Sequence, residues 1–355
     1  MKERIEQVRA ALAVNEAALI ESGANRFYLT GFPSSAGQLL ITPQDAYFII
    51  DFRYVEKARA TVKTANVILM ENSREQIARL LAQDGATHLY VEAESTSLSR
   101  FAALRDGLPG VTLCEGDKID RALVEARAIK TREELAKIVA AQQMTDETFT
   151  YILDRITPGR TEREVMLDME FYMRRLGSEG VSFDFIVVSG KNSSLPHGVP
   201  TDKKIERGDF VTMDFGAVVN GYHSDMTRTV AVGTVSEEQR RVYDTVYAAQ
   251  AAALDFIRPG VACIEVDRVA RDLIYGAGYE GCFGHGLGHS VGVEIHENPS
   301  CNTRCQEILR PGIVMTIEPG IYLENKFGVR IEDMVYLTEN GTENLTKSEK
   351  KLLIV

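Results

Sequence analysis

The stretch VTMDFGAVVNGYHSDMTRTV, residues 211–230, decides how the second half of this chain folds. Two apolar, β-branched runs flank Asn220-Gly221, the dipeptide that most strongly favours a two-residue hairpin loop. With that loop, Val219 pairs with Tyr222 and Asp214 with Thr227. Asp225 then becomes the diagonal neighbour of Asp214 on the same face, with Cβ atoms about 7 Å apart or less. An acid that merely caps a turn would not sit between Met213 and Phe215. A buried carboxylate without a partner is costly, whereas two facing carboxylates can share a pair of cations about 3.5–4 Å apart.

A second pair of acids follows in TIEPGIYLENKFGVRIED, residues 316–333. Glu318 and Glu332 each end an apolar run. A turn near Glu324 to Lys326 brings them close to opposite one another, with Pro319 making the first strand irregular. Glu324 and Asp333 look ordinary by comparison, and Asp333 must point to the face opposite Glu332.

Between the two pairs lies GHGLGHSVGVEIHEN, residues 284–298, with three of the six histidines. The glycines before Ser290 rule out a regular helix and permit close backbone approach. An alternating strand over VGVEIH places Glu294 and His296 on one face. Spacing alone does not assign His285, His289 and His296, and the helical HExxH zinc pattern is absent. Four of the six histidines fall between His223 and His296, and His197 is a fifth. His88 stands apart and reads as structural. Four carboxylates and one neutral imidazole balance two divalent cations, a donor set suited to manganese, cobalt, iron or zinc. A water bridging such cations has its pKa lowered toward neutrality.

Around this core of acids the chain is long enough, at 355 residues, for two domains. A net charge of −11 and a pI near 5.2 disfavour a nucleic-acid partner. No apolar run reaches the length of a membrane span, and the charged first residues do not resemble an export signal. Five cysteines without a CxxC argue against a disulfide scaffold or structural zinc clamp, so a cytoplasmic location is expected.

The first part of the chain alternates strand and helix. Residues 1–18 read as an amphipathic helix with a weak point at Val14-Asn15, and NRFYLTGF (25–32) reads as a short strand ending at Gly31. GQLLIT and AYFIIDFRY form a hairpin about Pro43-Gln44-Asp45. Strands at TVKTANVILM, THLYVEA and VTLCEG alternate with helices near 73–83 and 97–107. The junction is KIDRALVEARAIKTREELAKI. Thr131 with Glu134, and Thr161 with Glu164, are capping-box patterns that open helices to about Asp154 and Leu176. Helices at 237–256 and 262–276 interrupt later strands. The second domain is therefore mixed, with helices covering one face of a mostly antiparallel sheet.

At these residues the chain resembles the pita-bread metallopeptidases, which include methionine aminopeptidase, aminopeptidase P and prolidase, with creatinase as a non-metal relative. The positions matching the family's ordered metal ligands are Asp214, Asp225 eleven residues later, His289, Glu318 and Glu332. NRFYLTGF resembles the amino-terminal module of the proline-specific branch. The resemblance implies an α+β chain: a small α/β creatinase-like N-terminal domain over 1–122, then a pita-bread catalytic domain over 123–355. It implies two divalent ions, manganese first and cobalt or zinc as alternatives, and hydrolysis of the Xaa-Pro bond by a metal-bound hydroxide. Glu318 would move the proton, and His296 would stabilise the oxyanion. His197, in SSLPHGVPTD, and His285 would bind substrate and assist proton transfer. Arg330 and Tyr322 match further substrate-site positions. The substrate would be a small peptide with proline second, and the chain a homodimer whose first module borders its partner's site. Phe27, Tyr28 and Phe32 are candidate contacts there, or core. An Xaa-Pro dipeptidase is favoured, with an aminopeptidase P acting on longer peptides as the alternative. A dipeptidase needs a cation for the free carboxylate, and Arg304 is the nearest candidate downstream of His296. A relative that kept only the fold as a binding protein would lose ligands, and none is lost here.

Overall fold

The computed structural model describes residues 2–355. The chain forms two compact units, divided between Arg127 and Ala128.

The first unit runs α1 (Lys2–Ala10), β1 (Glu16–Ile20), α2 (Gly23–Thr30), β2 (Gln38–Ile41), β3 (Ala46–Ile50), α3 (Phe52–Thr61), β4 (Asn66–Leu69), α4 (Ser73–Gln83), β5 (His88–Val91), α5 (Leu98–Gly107) and β6 (Thr112–Cys114). It closes with α6 (Lys118–Ala128), in whose last turn the division falls. Its six strands form one mixed sheet in the order β4-β3-β2-β1-β5-β6. The β2–β3 hairpin forms as expected, pairing Ile41 with Ala46. Leu19, Leu40, Ile49 and Leu89 from the sheet pack on Ile77, Leu81 and Leu104 of the helices.

Three expectations fail in this unit. The helix expected over 1–18 ends at Ala10, and EAALI is a strand; Met1 lies outside the described residues. Ala17 to Ile20 are buried on both faces, so this central strand shows a continuous apolar run rather than alternation. The strand expected over 25–32 is α2. Ser22 caps its start by accepting from the Asn25 N–H, and Gly31 ends it in the left-handed region at φ 70°. AYFIIDFRY is a strand only to Ile50; Asp51 caps α3, a helix the sequence reading omitted.

The second unit begins with α7 (Arg132–Leu153) and α8 (Glu162–Leu176), each opened by its expected capping box. Then come β7 (Ile186–Ser189), a 3-10 turn (Gly190–Ser194), β8 (Phe210–Phe215), β9 (Val218–Val219), β10 (Tyr222–His223), β11 (Met226–Ala231), α9 (Glu237–Phe256) and α10 (Cys263–Gly276). The unit ends with β12 (Gly288–Ser290), β13 (Glu297–Cys301), β14 (Val314–Ile317), β15 (Gly320–Leu323), β16 (Phe327–Arg330), β17 (Asp333–Thr338) and β18 (Gly341–Asn344). The named strand pairings in this unit are antiparallel, as expected. The strands do not form one sheet, however. A three-stranded ladder, β11-β8-β7, shares a core with α7 and α8 through Phe149, Met169, Val187 and Met213. A five-stranded ladder, β13-β12-β14-β17-β18, shares a second core with α9 and α10 through Val246, Val266, Met315 and Val335.

VGVEIH is not a strand. Residues 292–296 are a run of bends between β12 and β13, so His296 ends a loop just before a strand, rather than a strand just before a loop. Among the described residues no helix is long and apolar enough to cross a membrane. All five cysteines are free.

Candidate active site

The first acid pair comes from the hairpin about Asn220-Gly221. Both loop residues have positive φ, 48° and 72°, as a type I′ turn requires. Val219 pairs with Tyr222 and Asp214 with Thr227. Asp225 immediately precedes β11. The second pair comes from a longer hairpin whose turn lies between Leu323 and Phe327. Ile317 pairs with Asp333 on one side of an interruption and Gly320 with Arg330 on the other. Glu318 and Glu332 lie at that interruption, which Pro319 enforces. The imidazole comes from β12. Gly288, before His289, passes so close to the Thr316 carbonyl that a Cβ could not be fitted.

These elements bring all five residues to one cavity of about 870 Å³. Ligand atoms of Asp225, His289 and Glu332 lie within 4.8 Å of one another. His289 Nε2 is 3.5 Å from Asp225 Oδ2 and 3.6 Å from Glu318 Oε1. His289 Nδ1 is 3.1 Å from the Ser290 carbonyl oxygen, which can only accept, so Nδ1 is the donor in that bond and Nε2 is the nitrogen that faces the acids. Thr227 Oγ1 donates to Glu332 at 2.7 Å, and Arg330 donates to Asp214 at 2.6 Å.

The arrangement is starved of positive charge. Asp214 Oδ1, Asp225 Oδ1 and Glu332 Oε1 are buried with no hydrogen-bond partner. Burial, then the neighbouring carboxylates, holds Asp225 and Glu332 well above the usual acid range. Burial pushes Glu318 up to about 7, against the pull of His289 and Arg330. An imidazole nitrogen and carboxylate oxygens within 4.8 Å of one another, on acids that each leave a buried oxygen unpartnered, are the donor set of a divalent cation. The residues present therefore fit a metal site.

The remaining expected residues differ in their freedom. His197, His285, His296 and Arg330 line the same cavity. The His296 ring is 4.4 Å from that of His289, edge to face. Among the described residues, neither the His197 nor the His296 ring hydrogen-bonds the protein. His285 is engaged at both nitrogens. Nδ1 donates to the Gly286 carbonyl at 2.8 Å, and Nε2 accepts from Tyr322 at 2.9 Å. Burial and then Arg330 lower His285 to about 4, so it is neutral. Tyr322, raised to about 12 chiefly by burial, also accepts from Arg330 at 2.9 Å. His223 is elsewhere, bonded to Ser182 at 2.9 Å. His88 bonds Thr87 and Asn15 in the first unit.

Sequence reading missed several supporting groups. Thr227 joins Arg330 Nε, at 3.0 Å, to Glu332; its place opposite Asp214 was the available signal. Asp333 is not ordinary. It is buried and paired with Arg228 and Lys350, each at 2.7 Å. Asp267 and Arg271 on α10 grip the histidine segment. Asp267 accepts from the Leu287 N–H at 3.1 Å, and Arg271 donates to the carbonyls of Phe283 and His285. Their one-turn spacing is visible in the sequence; their target is not.

Residues 136–339 match the metallopeptidase family M24, and residues 4–129 match the creatinase/prolidase N-terminal domain. The chain belongs to metallopeptidase family M24. As an M24 member with a metal-binding cluster, it is a metallopeptidase. It is 36% identical to the Xaa-Pro dipeptidase of Pyrococcus furiosus, covering 99% of this chain and 100% of that one. The structure of an Xaa-Pro dipeptidase from Bacillus anthracis superposes with a TM-score of 0.95, at 38% identity and 99% coverage of both chains. An X-Pro aminopeptidase from Thermotoga maritima superposes with a TM-score of 0.90, at 35% identity over 98% of this chain and 99% of that one. The expected α+β architecture, a creatinase-type module followed by an M24 peptidase domain, is borne out.

Proposed function

We propose that this M24 peptidase hydrolyses the Xaa-Pro bond of dipeptides. Asp214, Asp225, His289, Glu318 and Glu332 hold two divalent ions, with manganese the first choice and cobalt or zinc the alternatives. Bound there, such ions polarise a carbonyl and lower the pKa of water. The protein's own groups do the rest. Glu318 accepts the proton of the attacking water and delivers it to the proline nitrogen, a general acid–base task open to a carboxylate in the cavity wall. His296, beside His289 and free of protein bonds, donates to the oxyanion. His197 contacts the substrate from its loop. Arg330 orients Asp214 and Tyr322, and Tyr322 in turn orients His285, which forms part of the substrate wall. The X–Pro bond is a tertiary amide without an N–H, so recognition falls to the ring and the chain ends.

The observation that carries this reading is the cluster of Asp225, His289 and Glu332 ligand atoms, on acids with unpartnered buried oxygens, at the wall of a cavity of about 870 Å³. The preference for dipeptides rests on Arg304. Its side chain forms no ion pair among the described residues, and it lines the same cavity, where it can receive a free proline carboxylate. The aminopeptidase reading predicts no such preference. The test compares Ala-Pro with Ala-Pro-Ala on manganese-, cobalt- and zinc-loaded protein. Faster cleavage of Ala-Pro, lost on Arg304→Ala, supports the dipeptidase. Preferred cleavage of the tripeptide selects the aminopeptidase. The working form is a cytoplasmic homodimer, a reading that rests on the family alone. Tyr28 and Phe32 are buried.

A further inference from the structure

Glu162 is the first residue of α8, and no part of the proposed chemistry uses it. Its side chain is fully buried. Oε1 accepts from the Ser189 N–H at 2.6 Å and from Ser189 Oγ at 2.9 Å. Oε2 accepts from the Thr201 N–H at 3.0 Å and from Thr201 Oγ1 at 2.7 Å. Asn192 Nδ2 spans the two oxygens at 3.1 and 3.2 Å. Burying a carboxylate is costly unless its lone pairs are met, and here they are met by donors alone. The negative charge also lies at a helix N-terminus, where it is favoured.

The partners give the arrangement its meaning. Ser189 ends β7 and Thr201 ends the segment that carries His197, so one carboxylate ties together both feet of the 190–200 loop. The helix start reinforces the tie: the Glu162 N–H donates to the Lys203 carbonyl and the Arg163 N–H to the Thr201 carbonyl, both at 3.1 Å. The far side of the loop is pinned to the metal-proximal hairpin. Ser193 Oγ accepts from the Gly328 N–H at 2.9 Å, and the Pro196 carbonyl accepts from Arg330 at 3.1 Å. His197 follows Pro196 directly, between the two anchors.

We propose that Glu162 is a positioning residue that sets where His197 meets the substrate. The proposal rests on the reading of His197 as a substrate contact. Glutamine at 162 keeps the shape but turns an NH₂ toward a ring of donors, so at least one foot of the loop is released. Misplacement by about 1 Å is enough to cost up to roughly a hundredfold in rate.

The experiment uses manganese-loaded protein carrying Glu162→Gln, alone and combined with His197→Ala, and measures Ala-Pro kinetics, metal content and backbone hydrogen exchange. Thr201→Val, which removes one donor and keeps the side-chain shape, serves if Glu162→Gln does not fold. The expected result is faster exchange confined to 190–201 and unchanged metal content. In Glu162→Gln, kcat/KM should fall by roughly ten- to a hundredfold, with little further loss when added to His197→Ala. Unchanged exchange at 190–201 overturns the clamp. Exchange that rises throughout the second unit, or losses that add fully in the double variant, reduce Glu162 to a structural role and overturn the proposal. If His197→Ala alone leaves turnover intact, the reading of His197 fails and takes the proposal with it, a result distinct from failure of the clamp.

Discussion

Glu318 occupies a place that suits a bound cation far better than it suits an empty acid pocket. Burial raises it from 4.5 to about 7, and Asp225 and Glu332 are raised in the same direction. In metal-free protein these acids hold protons that the unfolded chain has already released. Their stabilising contribution is complete below the ordinary acid pKa and is lost as pH rises through the folded value. Metal-free protein should therefore lose thermal stability between about pH 4.5 and 7, while metal-loaded protein should not. Melting curves on either side of that window, with and without chelator, check this; a flat profile for the metal-free form contradicts it. Glu318→Gln should lower kcat by about 10²–10⁴-fold while some metal remains bound, measured on one preparation. His296→Ala should keep its metal and lose about two orders of magnitude in kcat/KM, since an oxyanion donor contributes roughly 3 kcal/mol. Loss of metal in parallel with activity would instead make His296 a ligand.

At the scale of elements, the hairpin about Asn220-Gly221 was legible to single-residue register, because the turn chemistry and the alternating pattern fix the same pairing. The ladder also depends on a close approach that the sequence only hints at. A Cβ on Gly216 would be driven into the Ser224 carbonyl. Gly216→Ala should cost about 1–3 kcal/mol and weaken metal binding, because Asp214 and Asp225 flank the pinch. Denaturant unfolding and metal titration read both effects. Elsewhere local signals competed. NRFYLTGF carries strand-forming aromatics, yet Ser22 and Gly31 bracket it as a helix. VGVEIH alternates in sequence but is bent so that His296 comes beside His289. That juxtaposition comes from tertiary packing around Glu297, whose side chain accepts from the Glu294 N–H at 3.2 Å and pairs with the buried Lys130 at 2.9 Å. No spacing rule within 284–298 contains this information.

At the scale of the molecule, the five residues that converge on the cavity were legible in the sequence, whereas the network supporting them was not, because its members are distant in sequence. Arg228 donates to the Glu332 carbonyl, to Asp333, and to the Ser348 and Glu349 carbonyls. It thereby fastens the chain's last segment behind Glu332. Burial pushes Asp333 up, but Arg228 and Lys350 outweigh it and hold the group at about 2. Its stability contribution is present above the ordinary value of 3.8 and lost as pH falls through about 2. Arg228→Met leaves a buried acid short of a partner and should cost about 3–5 kcal/mol at neutral pH, read by denaturant unfolding. The proposed function makes the five convergent side chains a two-ion hydrolytic centre for Xaa-Pro substrates. The most direct test is Ala-Pro turnover by chelated protein as manganese is added back. A two-ion centre gives no activity at first, full activity at about two equivalents per chain, and no recovery in Asp225→Asn at the same metal. Turnover that survives complete chelation, or full recovery in Asp225→Asn with wild-type stoichiometry, would contradict it.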